Sequence, residues 1–466
     1  MVAMLTALVG VALAAPFRAP STALHLPPPT NALHRQRVVI KLAEDQGLAF
    51  VAGTLSGPPD ELHEALTDAE PLFSRPRAAL LADRASATPR AKLADLSLYL
   101  QIDTLDPEQL IAELRRDPRI EAAYLAPEPV PPPFDIPPET PSFVADQHYL
   151  GPGPYGFGFD IRDRWEQADG TGLMVADVEY GFDPEHEAFN SLDVLELGYD
   201  AGLYQAHGNG VLGMLAPPDA GYGVVGMIPG AAFAISYPFS APDLYNVPDA
   251  INRAAAEMLP GDVLLIEQQG WNGDTYTPVE IDPAVFDAIA TAVAQGIVVI
   301  EPAGNGACNL DDPIWEGWFD RSVRDSGAIM VGGGASPFSG LTARSWYPFG
   351  SCYGDRVDVQ GWFDAIVTAS AEDGAPQFVD LFYPEADTRQ AYTARFGGTS
   401  GASPMVAATA AAFNGFWTQR SGAPLSPMDL RAAMVSTGHP QQEDGDTHPI
   451  GPQPDLRRLL RVYGVR

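Results

Sequence analysis

Gly397-Gly398-Thr399-Ser400-Gly401-Ala402-Ser403-Pro404-Met405 is the most informative segment of this 466-residue sequence. Two glycines lead into a serine, and the small-residue run 406–413 that follows is typical of a buried helix. The pattern places the hydroxyl of Ser400 at a tight turn that opens a helix, where free N–H groups and the helix dipole favour negative charge. Such a position suits a serine that attacks a carbonyl, because the product is an oxyanion. The alternative is that Thr399 or Ser400 only caps the helix.

Two upstream segments supply the other residue types that an activated serine needs. His207-Gly208-Asn209-Gly210-Val211 opens a second small-residue helix, which we predict over 207–216. Val175-Ala176-Asp177-Val178-Glu179-Tyr180-Gly181 covers the end of a strand that we predict over 173–178, and the strand ends in acidic residues. A serine hydroxyl needs a base in contact with it, and the ordinary pKa of histidine is near neutral. The chain order acid, histidine, serine is one that serine hydrolases use.

These segments resemble the motifs of the subtilisin-like serine peptidases. The family's serine motif, Gly-Thr-Ser-x-Ala-x-Pro, is complete here. The resemblance implies that Ser400 is the nucleophile and that His207 is its base. It also implies that Asn305, in Ala303-Gly304-Asn305, donates a hydrogen bond to the oxyanion together with the Ser400 N–H. The resemblance covers 143–460 well and 36–126 loosely.

The acidic residue departs from the family pattern. Subtilisin-like peptidases carry Asp-Thr-Gly or Asp-Ser-Gly at this strand end, and alignment of the flanking residues puts Glu179 at the aspartate position. Glutamate is one methylene longer, but it can accept the imidazole N–H if the backbone recedes or the side chain folds. We therefore predict that Glu179 orients His207. Asp177, two residues earlier on the same strand face, is the alternative, and Asp183 lies past the turn.

The segment expected to line the substrate cleft departs as well. Family members carry Ser-Leu-Gly-Gly there, and the matching stretch is Glu267-Gln268-Gln269-Gly270, while Glu301 lies at the adjacent strand end. If Glu267 and Glu301 face one another, the two carboxylates would share a proton. We hypothesise a preference for a basic residue before the scissile bond, or an acidic activity optimum. The alternative is that both glutamates are structural. The residues assigned to substrate binding by the resemblance are Gln268, Gln269, Gly270, Glu301 and Gly304.

Composition divides the chain into five regions. Residues 1–15 resemble a secretory signal peptide, since their apolar run is too short to span a bilayer, and 16–35 are expected to be disordered. Residues 36–126 have a strand–helix–strand pattern that resembles the small α+β inhibitory propeptide of the family, with an unrelated accessory domain as the alternative. Residues 127–142 read as an exposed, extended proline-rich linker. Strands and helices alternate in 143–466, which predicts an α/β fold: a doubly wound, mostly parallel sheet with helices on both faces.

Charge and cysteine content restrict the partners. The formal net charge of −33 argues against binding to nucleic acid or to anionic membranes, and no later stretch is long enough to cross a bilayer. Cys308 and Cys352, in a protein predicted to be exported, indicate one disulfide, with two separately buried thiols as the alternative. No organic cofactor is implied. The acidic stretch 371–394, Asp311 and Asp312 are candidate structural calcium ligands without a diagnostic spacing.

The resemblance as a whole implies a secreted serine endopeptidase, extracellular or periplasmic, made as a self-inhibited precursor. Its expected partners are protein or peptide substrates and its own propeptide, and a monomer is expected. Two other classes stay open. One is an inactive subtilisin-like domain used for binding or as a scaffold. The unusual Glu179 favours this class. The other is a serine hydrolase that acts on substrates other than peptides.

Overall fold

The computed structural model describes residues 36–51, 53–86, 93–104, 106–126, 133–152, 158–371, 378–443, 445 and 447–464. The chain divides into two compact units, Met1–Pro129 and Val130–Arg466. The predicted signal peptide, the predicted disordered lead and the first part of the predicted linker lie outside the described residues. In the part that is described, we find no helix with the length and apolar character needed to cross a membrane.

The smaller unit contains a four-stranded sheet in the order β4-β5-β1-β6, in which β1 pairs antiparallel with both β5 and β6. The side chains of Val38, Ile40 and Leu100 are fully buried in its core. Helix α3 begins where the sequence indicates, because the Asp106 carboxylate accepts the Gln109 N–H and a proline follows Asp106. The elements are β1 (Gln36–Leu42), β2 (Phe50–Val51), β3 (Thr54–Leu55), α1 (Glu61–Ala65), β4 (Glu70–Pro71), α2 (Arg77–Ser86), β5 (Tyr99–Thr104), α3 (Pro107–Leu114) and β6 (Ile120–Leu125).

The larger unit is built on a seven-stranded parallel sheet in the order β17-β16-β15-β12-β7-β9-β8. The first of these strands along the chain, β7, lies inside the sheet. Strands β9 and β8 lie on one side of it, and β12, β15, β16 and β17 lie on the other side. The strand order therefore reverses between β7 and β12, where open parallel sheets bind their ligands. The elements are β7 (Met174–Val178), β8 (Val194–Leu197), α4 (Gln205–Leu215), β9 (Ala232–Ser236), β10 (Phe239–Ala241), β11 (Leu244–Tyr245), α5 (Val247–Ala256), β12 (Val263–Ile266), β13 (Gln269–Trp271), β14 (Tyr276–Pro278), α6 (Pro283–Ala294), β15 (Val298–Pro302), β16 (Ile329–Gly334), β17 (Val359–Trp362), β18 (Ile366–Ala369), β19 (Tyr392–Phe396), α7 (Thr399–Ser421), α8 (Pro427–Thr437) and α9 (Leu456–Tyr463).

Helices cover both faces of this sheet, which confirms the predicted doubly wound architecture. Val175, Leu265 and Ile300 pack on one face in the same core as residues of α4 and α7. The residues between them in the strands, such as Ile266 and Val299, pack on the other face with α5 and α6. Because successive side chains of a strand alternate between faces, this parity decides which polar residues at the strand ends meet α4 and α7.

The helix after the serine motif is longer than the sequence suggests. We predicted a buried helix over 406–413, whereas α7 runs from Thr399 to Ser421 and is buried through most of its first sixteen residues. Pro404 lies inside it, where the missing N–H leaves the carbonyl of Ser400 without its usual helical partner. The first turn of α7 therefore contains Ser400 itself.

The described end of the predicted linker, from residue 133 onward, is anchored to the larger unit. The Asn190 side chain donates to the Phe134 carbonyl at 2.7 Å, and the Ile136 N–H donates to Glu187 at 3.2 Å. Gln390 donates to the hydroxyl of Thr140 at 2.8 Å. The chain is extended and mostly exposed there, but side chains of the larger unit hold it in place.

Candidate active site

Glu179 and His207 meet at the reversal of strand order. Glu179 directly follows β7, and its Oε2 lies 2.6 Å from Nδ1 of His207 in the first turn of α4. Its Oε1 accepts the N–H of Tyr180 at 2.6 Å. The longer side chain therefore folds back onto its own strand end, which is one of the two ways in which glutamate could serve here. With Nδ1 bound to a buried carboxylate, Nε2 is the nitrogen that can exchange a proton with a serine.

The other two candidate acids do not hold the imidazole. Neither carboxylate oxygen of Asp177 has a hydrogen-bond partner among the described residues, although the side chain is buried. The Asp183 carboxylate accepts the Glu185 N–H at 2.9 Å and so stays within its own loop. Glu179 is thus the acid that the structure brings to His207.

Two residues beside the histidine explain how α4 approaches β7. A Cβ atom on Gly208 would lie 2.0 Å from the Gly181 carbonyl oxygen and 2.9 Å from Cγ of Glu179, so only glycine fits. Asn209 accepts the Asp183 N–H at 2.8 Å and donates to the Ser370 carbonyl at 2.7 Å. This asparagine ties the loop after β7 to the helix.

Ser400 and Asn305 meet at the N-terminus of α7. Asn305 Oδ1 accepts the Thr399 N–H at 2.8 Å and the Thr399 hydroxyl at 3.0 Å. These bonds fix the amide and leave its Nδ2 group to donate elsewhere. The Ser400 N–H belongs to the first turn and has no intrahelical acceptor. Gly398, at φ 83°, makes the turn into the helix in a conformation that favours glycine.

A cavity of about 410 Å³ collects most of the predicted residues. His207, Ser400 and Asn305 line it, together with Glu267, Gln268 and Gln269 among others. The two glutamines are held by hydrogen bonds: Gln268 donates to the Val178 carbonyl at 3.1 Å, and Gln269 accepts the Asn305 N–H at 3.1 Å. The wall of the cavity is therefore rigid where it meets the proposed oxyanion site.

Two glycines predicted for substrate binding make close backbone approaches. Gly304 has a φ of 91°, and a Cβ atom there would lie 2.7 Å from the carbonyl carbon of Thr277. A Cβ atom on Gly270 would lie 2.7 Å from Cγ2 of Ile281. Both positions allow β13 and β14 to pack beside Asn305.

A second cavity, of about 780 Å³, lies beside His207 and includes Gly397 and Gly398. Its lining is mostly apolar and includes several aromatic side chains, among them Phe363 and Phe396. Phe396 also contacts the His207 ring edge-on, with the ring centroids 5.8 Å apart. Since His207 lines both cavities, the histidine lies at the junction of a polar and an apolar recess.

Glu301 is not part of this cleft. Its neighbour Ile300 pairs with Leu265, so Glu301 and Glu267 point to opposite faces of the sheet. Glu301 is fully buried and accepts the Glu280 N–H at 2.9 Å; burial, then the nearby Glu280 charge, raises its pKa. The prediction that Glu267 and Glu301 face one another is therefore wrong, and the placement of the Glu301 side chain at the substrate cleft is wrong with it.

Cys308 and Cys352 form a disulfide, with their Cα atoms 4.4 Å apart. The Cys352 N–H also donates to the Gly304 carbonyl at 2.9 Å. Both bonds hold the loop that carries Asn305 to the segment before β17. The predicted pairing is thus present, next to the site.

Two of the candidate calcium ligands, Asp311 and Asp312, accept hydrogen bonds from backbone N–H groups. Asp311 accepts the Asp355 N–H at 3.0 Å, and Asp312 caps the short helix Pro313–Trp315. Within the described residues, no three His, Cys, Asp or Glu side chains form a group that could hold a metal ion. Part of the acidic stretch 371–394, residues 372–377, lies outside the described residues. Structural calcium therefore stays a prediction.

Sequence patterns did not mark two features of the site. One is Thr399, whose N–H and hydroxyl both hold Asn305. The other is that Glu267 shares a face of the sheet with Asp177 and Glu179. Strand parity could have shown this, because Asp177 and Glu179 are two residues apart and Glu267 ends the neighbouring strand.

Comparison with known proteins assigns the chain to a family. The model of the "Subtilase family" matches residues 170–452. Fervidolysin of Fervidobacterium pennivorans is 26% identical over 198 residues, which are 40% of this chain and 27% of fervidolysin, so the match spans about a quarter of that relative. The crystal structure of fervidolysin, described as a keratinolytic enzyme related to subtilisin, aligns with a TM-score of 0.49 at 17% identity over 92% of this chain and 61% of that one. The prenylagaramide maturation protease PagA aligns with a TM-score of 0.48 at 17% identity over 65% of this chain and 97% of that one. Since the family model covers more than half of the sequence, the chain belongs to the subtilase family.

Proposed function

We propose that the protein is a serine endopeptidase that hydrolyses peptide bonds through an acyl-enzyme. The observation that carries the proposal is the 2.6 Å contact between Glu179 and His207 at a cavity that Ser400 and Asn305 also line. A subtilisin-like domain kept only for binding would not need this contact. The contact between Glu179 and His207 therefore favours an active enzyme over a scaffold.

Each residue has a chemical task in this reaction. Ser400 attacks the substrate carbonyl while Nε2 of His207 takes its proton, and His207 returns that proton to the leaving amine. Glu179 stabilises the imidazolium that forms in between. The Ser400 N–H and Nδ2 of Asn305 donate to the oxyanion of the tetrahedral intermediate. Water then attacks the acyl-enzyme with His207 again as the base.

A covalent probe tests the nucleophile. A fluorophosphonate should label the wild-type protein at Ser400, and the label should be absent from Ser400→Ala and strongly reduced in His207→Ala. Hydrolysis of casein, compared with that of small esters, separates a peptidase from another serine hydrolase. Absence of labelling in a folded wild-type protein would contradict the proposal and favour the inactive-domain alternative.

The proposal extends to a secreted precursor in which residues 36–126 act as an inhibitory propeptide. This rests on the family resemblance and on the strand–helix–strand pattern of the smaller unit. Full-length expression followed by mass and N-terminal analysis tests it. Loss of roughly the first 140 residues is expected in the wild type and not in Ser400→Ala. A monomer and a need for structural calcium are proposed on the same basis, and sedimentation with and without chelator checks both.

A further inference from the structure

Three carboxyl groups end two neighbouring strands on the same face of the sheet. Leu265 of β12 pairs with Asp177 of β7, and Ile266 pairs with Val178, so two residues beyond the first pair Glu267 lies across from Glu179. The Glu267 N–H, which donates to the Val178 carbonyl at 3.2 Å, continues this ladder. By parity all three side chains point toward α4 and α7, the helices that carry His207 and Ser400.

The hydrogen bonds of the three groups differ sharply. Each oxygen of Glu179 accepts a hydrogen bond from an N–H group, one from Tyr180 and the other from His207. Neither oxygen of Asp177 nor of Glu267 has a hydrogen-bond partner among the described residues. Both side chains are nevertheless almost fully buried, at 2% and 3% relative exposure. An ionised carboxylate is costly in such a place, so the group takes up a proton instead.

Electrostatics point the same way. Burial, and then the charge of Glu179, raises the pKa of Asp177 well above its ordinary value. Burial raises the pKa of Glu267 as well, and the nearby Asp177 and Glu179 add to it. The nearby Ser400 hydroxyl lowers the pKa of Glu267, but this effect is smaller than those of burial and the two acids. The hydroxyl does not complete a hydrogen bond with either Glu267 oxygen.

The groups that face Glu267 come from every element packed around it. Asp177 and Glu179 lie on and directly after β7, His207 on α4 and Ser400 on α7. Tyr180, Tyr204 and Tyr276 line the same cavity. The neighbouring strand β15 contributes Pro302 at this level, which does not titrate. No arginine or lysine lines this cavity among the described residues, so no permanent cation of its lining neutralises Asp177 or Glu267.

We propose that Glu267 is a positioning residue of the active site that works as a neutral carboxylic acid: Asp177 and Glu267 both carry protons, and Glu179 is the single charged carboxylate behind His207. This inference rests on the proposed function. The two protons remain on Asp177 and Glu267 throughout the reaction. Their role is to keep the floor of the cavity uncharged beneath Ser400, because a second anion there would oppose the oxyanion that forms on attack.

The proposal predicts a pH effect that belongs to this cluster. As the pH rises, the Asp177–Glu267 pair loses a proton, and kcat/KM of the wild type should fall. In Glu267→Gln, which mimics the protonated acid, this fall should move to higher pH by about one unit or more, and in the double variant with Asp177→Asn it should disappear. The ratio of kcat/KM between the ends of the profile is the quantity to compare.

Glu301→Gln is the matched control. Glu301 is also a fully buried glutamate near the end of a neighbouring strand, but it lies on the opposite face and outside the cavity. Its activity profile should superimpose on that of the wild type. A general effect of removing a buried carboxyl would change both variants alike, whereas the proposal allows a change only in Glu267→Gln.

A second measurement does not depend on turnover. The measurement uses Ser400→Ala protein in which Asp177 and Glu267 are unchanged. Its equilibrium constant for folding should fall by up to about tenfold per unit rise in pH for each proton that the folded state retains. Glu267→Gln should reduce that slope. If the wild type neither turns over substrate nor reacts with fluorophosphonate, the proposed function fails, and the folding slope still decides whether Glu267 is protonated. Identical activity profiles for Glu267→Gln and the wild type, or an unchanged folding slope, would overturn the inference.

Discussion

At the scale of single residues, the site shows how glutamate can take a place that aspartate usually holds. Glu179 uses its extra length to bind the Tyr180 N–H with one oxygen and His207 with the other. The side chain of Glu179 therefore bends back toward its own backbone, and this bend accommodates the one methylene by which glutamate is longer than aspartate. Asp177, the shorter acid on the same strand, has no hydrogen-bond partner among the described residues.

Replacing Glu179 by glutamine should lower kcat by about 10³–10⁴-fold, because the neutral amide neither selects the required tautomer of His207 nor stabilises imidazolium. KM should change little, since the side chain is buried and does not contact substrate. Steady-state kinetics on a peptide substrate measure this. Asp183→Asn, which alters an acid that serves its own loop, should keep kcat near the wild-type value. A Glu179→Gln variant with wild-type kcat would mean that another group orients the histidine.

Replacing Asn305 by aspartate should lower kcat by about 10²–10³-fold, the usual effect of losing one oxyanion donor. Aspartate retains an oxygen for the Thr399 N–H, so the loop stays anchored while the Nδ2 donor is lost. Thr399→Val removes only one of the two bonds to Asn305 and should have a smaller effect. Pre-steady-state acylation rates separate the two variants. Equal losses in both would show that Asn305 acts by holding α7 rather than by donating to the substrate.

At the scale of elements, α4 comes close enough to the end of β7 for His207 to reach Glu179 only because residue 208 has no side chain. In Gly208→Ala the new methyl would overlap the Gly181 carbonyl oxygen, 2.0 Å away, so α4 must move and His207 must leave Glu179. Activity and melting temperature should both fall, although alanine favours a helix over glycine by about 1 kcal/mol. Thermal unfolding and kinetics measure this.

Gly415→Ala is the control for that substitution. Gly415 lies in α7, where the nearest atom to an added Cβ is 3.3 Å away, so the variant gains helix propensity without a comparable overlap. It should keep its activity. If Gly208→Ala were as active as Gly415→Ala, the close approach of α4 to the strand end would not be needed for catalysis.

The elements of the larger unit could be predicted because apolar strands and small-residue helices alternate along the sequence. Predicted strand 173–178 became Met174–Val178, and predicted helix 207–216 became Gln205–Leu215. The direction of single side chains was harder to predict. Glu301 was placed at the cleft because it ends a strand there, but the register of β15 against β12 turns it to the opposite face. Register is a tertiary property that one strand's sequence does not contain.

At the scale of the whole molecule, buried acids and net charge act together on stability. Asp177, Glu267 and Glu301 all have raised pKa values in the folded state, with burial as the first cause. The folded state therefore binds more protons than the unfolded chain above about pH 4, and stability falls as the pH rises toward the folded pKa values. Each such proton contributes about 1.4 kcal/mol per pH unit.

His186 and Asp325 oppose this trend at lower pH. Burial lowers the pKa of His186 to about 4, so the stability that it contributes as a neutral ring is lost as the pH falls from about 6.5 toward that value. The pKa of Asp325 is held at about 2; burial alone would raise it, and the hydrogen bond from Arg431 is the first of the effects that outweigh burial. Its contribution is lost only below about pH 4. Between about pH 4 and pH 6.5 the three acids outweigh the one histidine, so the unfolding free energy of the larger unit should be highest near pH 4.

Denaturant unfolding of full-length Ser400→Ala, which prevents self-digestion, measures this between pH 4 and pH 9. The net charge of −33 also destabilises the folded state as the pH rises, but repulsion between surface charges is screened by salt, whereas proton loss from buried acids is not. The decline in unfolding free energy above pH 5 should therefore persist at high ionic strength. Glu301→Gln should reduce its slope by the contribution of one proton, about 1.4 kcal/mol per pH unit. A stability that is constant or rising from pH 5 to pH 8 in high salt would show that the buried acids are ionised in the folded protein.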